Sequence, residues 1–136
     1  MTTAAAIGVD FGTTNSSIAR ANSPGDVDLV QFASIEGITD AYRSLLYLER
    51  GQERGANVLK SWTGPEGIER YLSADNPGRL IQSLKSFLST RSLQSTDVFG
   101  RHLTIEDLIA RILRDLREKA QHRRAWPDTH VCGRPK

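Results

Sequence analysis

Apolar and polar positions along the 136-residue chain alternate between three kinds of run. Ala4 to Val9 is short and apolar, the pattern of a strand buried on both faces. Ile18-Ala19 resumes that pattern after a polar turn. Ala21 to Asp26 is a turn cluster, and Val27 to Phe32 reads as a third strand, so the first three form an antiparallel meander. Ser44 to Leu48 is another apolar run of strand length, closed by a turn over Gly51 to Gly55. Pro65 opens a helix with Glu66 in its first turn, and Ile68, Tyr71 and Leu72 share one face. Asn76-Pro77-Gly78 interrupts it. From Arg79, the spacing of Leu80, Ile81, Leu84, Phe87 and Leu88 predicts a second helix ending near Thr90. Val98-Phe99 and His102-Leu103 flank Gly100-Arg101 as a small hairpin.

The longest periodic segment follows. Thr104-Ile105-Glu106-Asp107 has the form of a capping box. Ile105, Leu108, Ile109, Ile112, Leu113 and Leu116 make one stripe, which predicts a helix over 105–124. Trp126-Pro127 ends it, and a further strand begins near His130.

Composition narrows the class. A hydrophobic share of 38% and a charged share of 25% suit one soluble globular domain or part of one. The net charge is +2, with ten basic and six acidic residues in 91–136. Those charges alternate in sign without interleaved aromatics, so no nucleic-acid surface is expected. Cys132 is the only cysteine, which excludes an intrachain disulfide and suits the cytoplasm. No apolar run reaches 18 residues, and residues 1–9 lack a basic n-region, so neither a membrane span nor a signal peptide is expected. His102, His122, His130 and Cys132 show no metal-ligand spacing.

The candidate chemistry lies between the first two strands. Asp10 stands at a strand end, and Gly12 permits a backbone conformation that a Cβ would forbid. Thr13, Thr14, Asn15 and Ser16 crowd hydroxyl, amide and backbone N–H donors into one concavity, which can hold phosphate oxygens. Asp10 repels phosphate but can hold Mg²⁺, directly or through water. The same residue types form ordinary hairpin turns, so the residues alone leave a plain hairpin open. There is no P-loop motif, and Asp10-Phe11-Gly12 lacks the catalytic loop that would precede it in a kinase. Lys85, beside the apolar stripe, also fits a snorkelling surface residue.

Asp10-Phe11-Gly12-Thr13-Thr14-Asn15-Ser16 resembles the first phosphate loop of the seventy-kilodalton heat-shock chaperones of the DnaK type, in the superfamily of actin and the sugar kinases. Asn76-Pro77, followed by Lys85 within Leu84-Lys85-Ser86-Phe87-Leu88, is similar to that family's helix bearing its catalytic lysine. Arg43 to Leu48 resembles the strand that usually carries Pro-Ser-Val, with the proline replaced. The helix from Thr104 and the segment Val131 to Pro135 resemble the helix and fourth core strand that follow. The resemblance implies an α/β fold: an incomplete ribonuclease-H-like (actin-like ATPase) lobe, with an antiparallel β-meander plus helices. It implies that residues 1–136 are the N-terminal part of lobe I of a nucleotide-binding domain, with an insertion subdomain over roughly 37–103.

The implied activity is ATP hydrolysis driving a chaperone cycle, with ATP or ADP and Mg²⁺ as cofactors and, in the parent protein, unfolded polypeptide and co-chaperones as partners. Gly12, Thr13, Thr14 and Asn15 would then bind the β- and γ-phosphates, Asp10 would hold hydrated Mg²⁺, and Lys85 would be catalytic. The second phosphate loop and second lobe do not fit in 136 residues, so the chain alone is expected to bind nucleotide weakly, to hydrolyse none, and to self-associate through uncovered strands. The alternatives are the phosphate-loop segment of a sugar-kinase-like enzyme and a non-catalytic fragment.

Overall fold

The computed structural model describes residues 6–75, 78–90 and 94–121. Among these residues it is a mixed α/β fold of antiparallel sheets with two α-helices. Strand β1 (Ala6–Phe11) turns into β2 (Asn15–Ser23), and Pro24-Gly25 turns β2 into β3 (Asp26–Leu29). These three strands are the expected meander, but the third ends at Leu29. Val30 and Phe32 turn inward and are fully buried, so the chain leaves the sheet to fill the core. Short strands β4 (Phe32–Ser34) and β5 (Gly37–Thr39) pair with each other. Strand β6 (Tyr42–Arg43) then returns to β2 at its Asn15 end.

The second sheet is built on β7 (Leu45–Glu53), whose partner β8 (Ala56–Thr63) joins it through a two-residue turn at Arg54-Gly55. The turn is therefore tighter than the expected Gly51–Gly55 segment, and Gly51 to Glu53 are strand. Helix α1 (Gly64–Ser73) has proline in its first turn and Glu66 beside it, as expected. Its buried side is not the Ile68-Tyr71-Leu72 face: Tyr71 and Leu72 are exposed, and Gly64, Pro65 and Gly67 are buried. A Cβ on Gly67 would come 2.8 Å from Leu45 Cδ1 and 3.0 Å from the Trp62 carbonyl oxygen, so small residues let α1 lie close to the sheet.

The predicted helix from Arg79 is replaced by β9 (Arg79–Gln82), which pairs with β7, and a 3₁₀ helix at Leu84–Phe87. Cross-strand pairing of Leu46 with Ile81 and Tyr47 with Leu80 overrides the local helical spacing. Ser83, at φ 60°, breaks the strand and starts the 3₁₀ turn. Leu84 is buried and Phe87 is partly buried against the core, so the three-residue spacing is still used.

Strands β10 (Ser95–Val98) and β11 (Arg101–Thr104) form the expected hairpin, but it turns at Phe99-Gly100 rather than at Gly100-Arg101, and Arg101 is strand. Helix α2 (Ile105–Gln121) follows at once. Its capping box is complete: Thr104 N donates to Asp107 Oδ2 (3.0 Å), and Asp107 N donates to Thr104 Oγ1 (3.1 Å). Ile105, Leu108, Ile109, Ile112 and Leu116 are buried as expected, each contributing about 1.5–3 kcal/mol. Leu113 is 40% exposed, because at about 100° per residue it lies about 80° from the centre of the buried stripe. One apolar cluster joins this stripe to Ile18, Tyr42, Leu46, Leu48, Leu84 and Val98, so both sheets share a core. The expected helix end, Trp126-Pro127, and the strand near His130 lie outside the described residues, as do Asn76 and Pro77.

Strand β1 is not buried on both faces. Ile7 is 43% and Val9 49% exposed, since β1 is an edge strand and the core reaches only to Phe11.

Candidate phosphate-binding turn

The β1–β2 turn gathers most of the residues singled out in the sequence. Phe11 pairs with Ser16, so Gly12 to Asn15 span the turn between them. A Cβ on Gly12 would fall well inside the contact distance of the Asn15 carbonyl oxygen, and the turn closes this tightly only with glycine. Thr13, Thr14 and Asn15 are exposed at its tip.

The turn is held from below. Ser44 N donates to the Thr14 carbonyl (2.9 Å), and the buried hydroxyls of Ser16 and Ser44 are 2.7 Å apart. Tyr42, next along, donates to Asp115 Oδ2 (2.6 Å) on α2 and shares a hydrogen bond with Thr63 Oγ1 (2.5 Å). Burial, then the Asp115 charge, pushes the Tyr42 phenol far up, so it stays a neutral donor. Lys119 bridges Asp115 and Glu66. Burial pulls its ammonium down, but the two carboxylates outweigh that and hold it above the ordinary lysine value. A polar network thus ties the strand beneath the turn to both helices.

Strand alternation fixes the outer face. Ser16 pairs with buried Tyr42 on the inner face, so the flanking pairs Asp10–Ser17 and Asn15–Arg43 lie on the outer one. Asp10 and Arg43 are both exposed, and no ion pair joins them. The result is a carboxylate on one flank, a guanidinium on the other, and exposed hydroxyl and amide donors between them. Among the described residues, no group of three His, Cys, Asp or Glu side chains is placed to hold a metal. A lone carboxylate beside hydroxyls fits a hydrated Mg²⁺ shared with phosphate better than a closed protein cage.

Of the residues singled out in the sequence, Asp10, Gly12, Thr13, Thr14 and Asn15 come together in this turn. Lys85 does not join them by any hydrogen bond or ion pair among the described residues. It is exposed on the 3₁₀ helix, beside buried Leu84, in a segment that packs against α2. Arg43 escaped the sequence reading as a site residue. The signal was its place before Ser44 in a strand that returns to β2, but β-pairing with Asn15 is a long-range fact that spacing does not carry.

No protein-family model matches the chain, and no curated protein matches it. No helix among the described residues is long and apolar enough to cross a membrane.

Proposed function

We propose that this chain carries the first phosphate-binding element of an ATPase of the heat-shock-chaperone type, within a ribonuclease-H-like lobe. The observation that carries the reading is the glycine-closed turn at Gly12–Asn15, with Asp10 on one flank and Arg43 on the other. In this reading the Thr13 and Thr14 hydroxyls, the Asn15 amide and nearby backbone N–H groups donate to the β- and γ-phosphates of ATP or ADP. Asp10 would hold a hydrated Mg²⁺, which would supply positive charge to offset that of the phosphates. Arg43 gives a planar fork suited to a phosphate oxygen pair. Lys85 acts at the γ-phosphate only in a protein whose further segments close the site over the nucleotide. Unfolded polypeptide is the partner that such a cycle would serve.

Titration of isotope-labelled chain with Mg·ATP, followed by amide shifts, tests this. The expected result is a millimolar interaction confined to Asp10 through Ser17 and Arg43, lost in Thr13→Ala, with no hydrolysis. A turn contributes only part of a nucleotide's contacts, so affinity stays at about −4 kcal/mol. Unchanged shifts at the turn, or micromolar binding elsewhere, would overturn the reading.

A further inference from the structure

A second concavity lies away from the turn, where the β7–β8 hairpin faces the β10–β11 hairpin. Its volume is about 210 Å³, and Arg50, Asn57, Val58, Leu59, Phe99 and Arg101 line it. Arg50 and Leu59 are cross-strand partners, so they share one face of the sheet. The Arg50 guanidinium lies 5.3 Å from the centre of the Phe99 ring. Arg101 donates one N–H to the Asn57 carbonyl (3.2 Å). Neither guanidinium pairs with a carboxylate among the described residues, and both are exposed. Arg50 therefore keeps its guanidinium donors, and Arg101 those it does not give to Asn57, for a ligand in the cleft.

The backbone at Phe99 is independent of these charges. Phe99 and Gly100 have φ of 51° and 79° in a two-residue hairpin loop, the geometry that favours asparagine, aspartate or glycine at the first position. A phenylalanine held at positive φ is a strained choice. The strain sets an aromatic ring, 36% exposed, at the mouth of the cleft. Arg79 fixes the hairpin from its other side, donating to the Asp97 carbonyl (2.8 Å) and Thr96 Oγ1 (3.0 Å).

Size and chemistry select the ligand. The cleft is smaller than the roughly 300–1,000 Å³ of drug-sized sites, so it suits a single ring. Leu59 and Phe99 offer apolar and aromatic surface, on which an aryl ring packs edge-on or offset. Paired guanidinium forks match the oxygens of phosphate or carboxylate. We propose that this cleft binds a small aryl oxyanion: one aromatic ring bearing a phosphate or carboxylate group. This is a separate site from the Gly12–Asn15 turn, and its ligand makes no demand on that turn.

The test is amide-shift titration of the full chain with phenyl phosphate. Saturable shifts confined to residues 57–59 and 98–101, with Kd of about 1 mM, are expected. Inorganic phosphate alone should bind about tenfold more weakly, since it lacks the ring. Arg50→Gln and Arg101→Gln should each weaken binding by about tenfold or more while the melting temperature holds. Phe99→Asn should raise the melting temperature by relieving the turn and still lose binding, which a purely structural Phe99 would not do. A tripeptide with a central phosphotyrosine that binds as tightly as phenyl phosphate would support the same chemistry presented by a polypeptide; its exclusion would assign the site to free ligands. No shifts at about 10 mM, shifts elsewhere, or wild-type affinity in both arginine variants would overturn the proposal.

Discussion

The hydroxyls of Ser16 and Ser44 meet 2.7 Å apart in the buried interior, where β6 returns to β2 beneath the Gly12–Asn15 turn. Ser16 and Ser44 are 3% and 2% exposed, so water cannot replace either partner. Ser44 also supplies the amide that binds Thr14. Ser44→Ala leaves the Ser16 hydroxyl buried without its partner, and the expected cost is about 1–3 kcal/mol. The double variant Ser16→Ala/Ser44→Ala should recover much of that loss, because no orphaned hydroxyl remains. Denaturant titrations of the two single variants and the double variant measure the coupling. Strictly additive losses would show that the hydroxyl pair does not support the turn.

Two glycines of the same hairpin should behave oppositely. A Cβ at Gly12 collides with the Asn15 backbone, whereas a Cβ at Gly8 meets nothing within 4 Å. Gly12→Ala is expected to cost about 1–3 kcal/mol and to shift the amides of Thr13 to Ser16. Gly8→Ala should leave stability unchanged or raise it by up to about 1 kcal/mol, through the unfolded chain. Thermal melts of both variants decide, and equal melting temperatures would mean that the turn relaxes around a side chain.

Local features are legible in the sequence where a few adjacent residues carry the physics. The Thr104–Asp107 capping box, the Pro65 start of α1 and the Gly100 hairpin each depend on a few adjacent residues, and all stand in the structure. The glycine turn was legible for the same reason. Long-range pairing was not. Leu80 and Ile81 fit a helix by spacing, yet β7 recruits them as a strand, and β8, after the Arg54-Gly55 turn, carries no clear strand signal of its own. Burial misled at β1 and at α1: apolar Ile7, Val9, Tyr71 and Leu72 face outward, while the contact side of α1 is glycine and proline. Arg43 enters the candidate site only through its β-pairing partner.

Acid should weaken the packing of α1 on the second sheet. Arg70 holds Glu49 with two hydrogen bonds, Nε to Oε1 at 3.1 Å and Nη2 to Oε2 at 2.9 Å. Those bonds draw the Glu49 carboxyl below the ordinary glutamate value of 4.5, against the opposing pull of burial. A depressed folded value means that Glu49 contributes stability above pH 4.5, and that this is lost as pH falls through its folded value. Asp107 in the α2 cap is lowered as well, chiefly by the Thr104 backbone N–H, and its contribution falls away in the same direction. Stability is therefore expected to hold from neutral pH to about 5 and to decline below it. Glu49→Gln should lower stability at pH 7 and flatten that decline. An identical acid slope in wild type and Glu49→Gln would remove Glu49 from the account.

The exposed edge of the first sheet leads to the final prediction, that the chain self-associates. Strand β1 pairs only with β2 among the described residues, so its outer row of N–H and C=O groups is open to another strand. The usual protections are missing: Ala6 to Phe11 contains no lysine and no proline, and its single charge is Asp10 at the turn end. Ile7 and Val9 are half-exposed on one face, and Val27 and Leu29 on β3 are exposed on the other. Edge pairing at β1 would satisfy the backbone and add cover over Ile7 and Val9. Val9 is the position to test, since it is exposed, pairs with Ile18 and lies clear of the Gly12–Asn15 turn. Sedimentation of the wild-type chain at micromolar concentration should show a dimer or larger species that dissociates on dilution. Val9→Lys adds a charge that resists edge-to-edge pairing and should return a monomer with an unchanged far-ultraviolet spectrum. A wild-type chain that stays monomeric up to submillimolar concentration would show that the β1 edge is closed by other means.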